Sequence, residues 1–260
     1  MFKDQTKDLP NLAVPDQIDG IYGHFKGALG ALDGAHIPVR TTKIDPAPWR
    51  NRKGFYSQNV LYACDFDTMI VFAQPGYEGS AHDGTVLCKA TDNGFKVPGS
   101  HYYLADGGYS KKDRRLLVPY REVADAAKRP ATKEELFNLR HARLRNVVER
   151  VIGIMKKRWR ILRDGPEQGF TMHQQSLFVY ALAAVHNFCL QHGQTLEQDE
   201  DMLQGEDGGE DGDGDGDGDG NGDGGVEETD VEGDVMPEDA FMVRFRDRLA
   251  KNMWEEFINE

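Results

Sequence analysis

The sequence predicts a layered fold of the α/β or α+β kind, and three observations carry that prediction. Strand-like runs crowd the first 120 residues, two capped helical patterns follow Thr132, and an Asp/Gly-rich stretch separates these from a last amphipathic segment. At 260 residues the chain has room for one good-sized domain with appendages.

Residues 1–20 carry the turn signals Pro10, Pro15 and Gly20 with little periodicity, and read as an irregular lead-in. The first strand is expected over 27–39, ending at Pro38, and a polar loop over 41–53 follows it. Two apolar runs, 55–64 and 68–73, flank Asp65-Phe66-Asp67 and predict an antiparallel hairpin. Ser80 is a candidate cap for a short helix over 83–89, HYYLAD at 101–106 reads as a strand before Gly107-Gly108, and LLVPY at 116–120 is short and apolar.

From Thr132 the period lengthens. Thr132 with Glu135 forms a capping box, and Leu136, Leu139, Leu144, Val148, Ile152 and Met155 recur at helical spacing up to about Trp159. A second box, Thr171 with Gln174, opens an apolar helix through Leu177, Tyr180, Leu182, Val185 and Phe188, stopped by Gly193 and expected in the core. The organisation is thus a lead-in over 1–20, a main domain over 21–195, an acidic linker over 196–236 and a terminal helix over 237–260. The linker has almost nothing to bury and strong self-repulsion, so it is expected to be disordered. Asp217, Asp219, Asn221, Gly222 and Glu228 fit a calcium-loop frame, but a DG repeat makes such matches by chance and no helix is expected before Asp217. In the terminal segment Phe241, Phe245, Leu249, Met253, Trp254 and Phe257 form one apolar face.

The net charge of −13 is unevenly distributed. Residues 196–260 hold 24 acidic against 4 basic side chains, a net of −20, leaving 1–195 with 20 against 27, a net of +7. The basic excess gathers in KKDRR at 111–115 and KKRWR at 156–160, which suits a polyanion. No run approaches the roughly 18 apolar residues of a membrane span, so no membrane partner is expected. Cys64, Cys88 and Cys189 lack paired spacing, which argues against a disulfide framework or a zinc site and for a reducing compartment.

Three carboxylates stand in apolar or small-residue settings. Asp33 interrupts ALGALDGAHI, Asp106 ends HYYLAD, and Glu149 lies among Val147, Val148, Val151 and Ile152. An unpaired buried carboxylate costs several kcal/mol, so Asp33 needs a cationic partner or a site that uses it. Singly, Asp106 could start a turn, Asp33 pair with an arginine, and Glu149 pair with Arg145 or Arg150. Together they are what a hard divalent cation needs, and two such ions can activate water against a phosphodiester. A glycosidase-type acid/base pair also uses two carboxylates, but it predicts aromatic sugar platforms in place of the basic flank.

The blocks FKGALGALDGAHIPV, RNRKGFYSQNVLYACDFD, GYEGSAHDGTVL, YYLADGGY and RNVVERVIGIMKKRWRIL resemble, in order, the DDE domain of PIF/Harbinger superfamily transposases and the host proteins derived from them. The resemblance implies an α/β, ribonuclease-H-like mixed sheet flanked by helices. It implies catalytic, metal-holding roles for Asp33, Asp106 and Glu149, with Asp83 of SAHD as a further ligand or support, and two Mg²⁺ or Mn²⁺ ions. Lys111, Lys112, Arg114, Arg115, Lys156, Lys157 and Arg158 become the DNA-binding candidates. Hydrolysis or strand transfer on DNA in the nucleus is the implied reaction, with a possible homodimer. Only 32 residues precede Asp33 and they show no helix-turn-helix pattern, so target recognition is expected from a separate protein. The alternative is a domesticated transposase acting as a chromatin- or DNA-associated interaction protein without catalysis.

Overall fold

The computed structural model describes residues 20–41, 44–121, 130–193 and 241–259. Nearly all of the expected lead-in, the acidic linker and the calcium-loop frame lie outside the described residues.

Five strands form one mixed sheet: β1 Ala28–Pro38, β2 Ser57–Cys64, β3 Ile70–Glu78, β4 Tyr102–Leu104 and β5 Leu116–Leu117. Their order is β3-β2-β1-β4-β5. The first three are antiparallel neighbours, whereas β4 joins β1, and β5 joins β4, in parallel. This is the ribonuclease-H-like arrangement. The hairpin between β2 and β3 turns through Asp65, whose carboxylate accepts the Met69 N–H at 2.9 Å, and Thr68 takes the left-handed conformation at φ 67°.

Helices cover both faces. Helix α1, Asp83–Asp92, packs Val86, Leu87 and Ala90 on Leu29, Leu32, Leu61 and Tyr103. On the other face lie α2, Lys133–Arg158, the short α3, Arg160–Arg163, then α4, Met172–Gln191, and α5, Phe241–Phe257. Alternation along β1 and β2 feeds both cores, since successive strand residues point to opposite sides. Among the described residues no helix is long and apolar enough to cross a membrane.

The caps follow the sequence with two changes. Thr171 and Gln174 form the full reciprocal box, while at α2 the Thr132 hydroxyl accepts from Glu135 N–H and the Glu135 carboxylate turns to Ala131 N–H instead. Ser80 caps nothing, because α1 starts after His82, which makes no side-chain cap bond.

Helix α4 corrects the expectation most. Leu177, Val185 and Phe188 are exposed, and the buried stripe is Gln175, Val179, Ala183, His186 and Asn187. The polar members are buried because they serve strand ends. Asn187 accepts from Ile70 N–H at 2.9 Å and donates to Ile70 C=O at 2.8 Å. Gln175 does the same for Arg40, both bonds at 2.9 Å, and Asn138 of α2 does it for Tyr120, also at 2.9 Å. Each amide thus pairs both the N–H and the C=O of one backbone residue, as buried backbone groups require.

Candidate functional site

The site lies where β1 outlasts its parallel neighbour. Pairing with β4 ends at Ala31 opposite Leu104, yet β1 runs on to Pro38, held by β2 alone. From Asp33 onward its β4-side edge is open, and the chain leaving β4 delivers Asp106 beside that opening.

Arg145 of α2 draws the carboxylates together. Its Nη1 stands 3.5 Å from Asp33 Oδ2, and its Nη2 stands 2.5 Å from Glu149 Oε1 and 3.9 Å from Asp106 Oδ1. Glu149 lies one turn further along the same helix, where i,i+4 side chains meet. Asp106 also starts a turn, accepting Gly108 N–H at 3.0 Å. The three predicted acids therefore meet around one guanidinium, and the ordinary pairing expected of Asp33 and Glu149 with an arginine is the same contact.

Asp83, first residue of α1, approaches from the other side of β1. Asn59 of β2 donates to its Oδ1 at 2.7 Å. Its carboxylate fills the space above Gly34, where an added Cβ would stand 2.7 Å from Asp83 Cγ. Glycine beside Asp33 is therefore what lets a second aspartate come close. His36 and His82 are held by ordinary bonds, His36 to Ser57 Oγ at 3.0 Å and His82 by the Arg52 guanidinium at 3.4 Å.

The crowding of acids is felt most at Asp33. Burial pushes its carboxyl up to about 7, against the pull of Arg145 and of the Gly34 N–H, and the charges of Asp106 and Asp83 push the same way as burial. Tyr109 lies fully buried nearby, its hydroxyl without a hydrogen-bond partner among the described residues. Its ionisation is pushed far up by burial and then by Asp83, Asp33 and Asp106.

Among the described residues no three His, Cys, Asp or Glu side chains stand close enough together to hold a metal ion, and Asp33, Asp106 and Glu149 are instead spaced around Arg145. The donor set still fits a hard divalent cation. It is all oxygen and it already gathers around one positive charge.

The basic candidates divide. Lys111, Lys112 and Arg114 are exposed on the β4–β5 connection, with the Arg114 guanidinium 5.4 Å from the Phe241 ring. Arg115 is committed to Asp113, 2.6 Å away, and to Thr91, and contributes little charge to a partner. Lys156 lies seven residues beyond Glu149 on α2, about 10 Å along the axis and on a similar face. Lys157 is exposed, and Arg158 stacks on Trp159 at 5.2 Å. Asn59 and Tyr109 were not singled out from the sequence. An asparagine in the middle of an expected strand is the available signal for the first, and a tyrosine three residues after Asp106 for the second.

Comparison with known proteins bears on this site. The sequence model of the family described as DDE superfamily endonuclease matches residues 32–187, a span holding Asp33, Asp83, Asp106, Arg145 and Glu149. The proteins named "Putative nuclease HARBI1" of Bos taurus and Homo sapiens are each 25% identical over 186 residues, covering 70% of this chain and 51% of theirs. That of Mus musculus is 26% identical with the same coverage. The chain spans about half the length of the curated relatives it matches. No solved structure matches it.

Proposed function

The chain belongs to the DDE superfamily endonucleases, and on that premise we propose that it is a divalent-metal-dependent enzyme of the nuclease or transposase type, acting on DNA phosphodiester bonds by hydrolysis or strand transfer. The observation that supports this best is the meeting of Asp33, Asp106 and Glu149, from three separate elements, on one guanidinium.

In this reading the three carboxylates hold Mg²⁺ or Mn²⁺, with Asp83 as a further ligand or as a support for Asp33. When bound, such ions, two in number, activate water and steady the leaving oxygen. The chain's own residues prepare the ground. Gly34 N–H fixes one Asp33 oxygen at 2.9 Å, leaving the other to face the site. Asn59 orients Asp83. Lys111, Lys112, Arg114, Lys156, Lys157 and Arg158 hold the DNA backbone by charge. A separate recognition protein, a homodimer and a nuclear location complete the proposal.

With Mg²⁺ or Mn²⁺ the purified protein is expected to nick supercoiled DNA, and Asp33→Ala to abolish nicking. DNA left intact by the wild type, or cut equally by Asp33→Ala, overturns the reading. Calorimetric titration of Mg²⁺ against Glu149→Gln asks separately whether the carboxylates bind metal, and weaker binding is expected.

A second reading is a domesticated, non-catalytic interaction protein. One observation favours it: Arg145 already balances part of the acidic cluster, so the site holds together without metal. Partner association that ignores salt would support this reading, since phosphate contacts weaken steeply with salt.

A further inference from the structure

We propose that Arg145 is a resident counter-ion that competes with divalent metal for the site carboxylates, so that loading the site requires its guanidinium to withdraw. The proposal rests on the metal-dependent reading above.

Two nitrogens of one side chain reach a carboxylate on β1, another just after β4 and a third on α2. The Arg145 side chain is only 18% exposed, whereas Asp106 and Glu149 are 44% and 47% exposed. The cation sits inside the cluster with Asp33, at 23% exposure, beside it, and Asp106 and Glu149 form the rim. Mg²⁺ takes its oxygen ligands at about 2.1 Å. The guanidinium already lies within 2.5–3.9 Å of one oxygen on each of these carboxylates. Ion and guanidinium therefore claim the same space, and two cations so close repel strongly in a partly buried setting. A lysine could yield by giving up its proton, but a guanidinium remains charged at any working pH and must move.

The consequence separates Arg145 from a structural brace. If it merely braced the carboxylates, its removal would scatter them and weaken metal binding. As a competitor, its removal strengthens binding, because the oxygens lose their standing partner and gain a vacancy.

The test is calorimetric Mg²⁺ titration of the full chain at about pH 8, where carboxylates ordinarily ionise. Arg145→Gln is expected to bind about tenfold more tightly than wild type, within the usual range of coupling between two ligands of one site. Equal or weaker binding by a folded Arg145→Gln overturns the proposal while leaving the metal reading intact. Absence of Mg²⁺ binding in both proteins overturns the metal reading and this proposal with it. A second measurement needs no variant: in ¹⁵N-labelled wild type, Mg²⁺ is expected to shift the Arg145 Nε–H resonance in step with the calorimetric isotherm. A resonance that stays fixed while metal binds overturns the competition.

Discussion

In metal-free protein, Asp33→Asn is expected to raise stability, and to raise it more as pH increases. Burial lifts the Asp33 carboxyl from its ordinary 3.8 to about 7, so the folded chain keeps a proton that the unfolded chain releases between those values. Where the folded state binds more protons, stability falls as pH rises. The loss therefore begins near pH 4 and is complete above about 7. Asparagine has no charge to bury, and its Oδ1 can still accept from Gly34 N–H. At about 1.4 kcal/mol for each pKa unit, a shift of about three units sets a ceiling near 4 kcal/mol. The side chain is 23% exposed, so water and Arg145 soften the penalty. The expected gain is about 2 kcal/mol at pH 8 and under about 1 kcal/mol at pH 5. Urea unfolding with a chelator present, followed by circular dichroism at both pH values, measures it. Asp65, pushed up to about 6, and His141, held down at about 4 by burial, titrate alike in both proteins and cancel in the difference. A gain that does not grow with pH, or a loss at pH 8, would refute the claim that Asp33 is held against its own charge.

Gly34→Ala is expected to displace Asp83 and to cost about 1–3 kcal/mol, the usual range for overpacking, and to become nearly neutral in an Asp83→Ala background; thermal unfolding of the four proteins closes the cycle. Asn187→Leu leaves the Ile70 N–H and C=O unpaired and is expected to cost about 2–4 kcal/mol in urea unfolding, with the largest loss of amide-exchange protection at the start of β3. Replacing Lys111 and Lys112 with Gln is expected to lower duplex affinity and reduce the slope of log K against log salt by about 1–2, as counterion release at two sites requires.

How much could be read in advance depended on where each residue sends its side chain. The small and apolar run of β1, the helical period of α2 and the box at Thr171 are local signals that the structure keeps, while at Thr132 only the hydroxyl half of the box forms. Asp33, Asp106 and Glu149 were visible as charges in apolar surroundings, and Arg145 as a helix partner of Glu149. The reach of Arg145 to Asp33 and Asp106 was not, because it depends on how α2 crosses the sheet. Asp83 is legible only through the family resemblance, since the physical cause of its placement is the missing side chain of Gly34. The inner face of α4 defeated periodicity for a related reason. Gln175, His186 and Asn187 look like a solvent face to a pattern of hydrophobicity, whereas Leu177, Val185 and Phe188 look like a core and point outward. On α2, Phe137 and His141 take burial that spacing assigned to Leu139 and Ile152, which remain partly exposed.

The paired amides at Asn138, Gln175 and Asn187 also restrict how this chain can drift or age. Among side chains in their ordinary states at neutral pH, a carboxamide is the one that presents a donor and an acceptor side by side as a peptide unit does. At these three places the usable alphabet shrinks to two letters, and the length of the gap to the backbone selects between them. Hydrolysis of Asn187 to aspartate would turn its donor into a second acceptor facing the Ile70 carbonyl. A single slow chemical change, with no mutation at all, would then loosen the edge of the sheet from the helix that covers it.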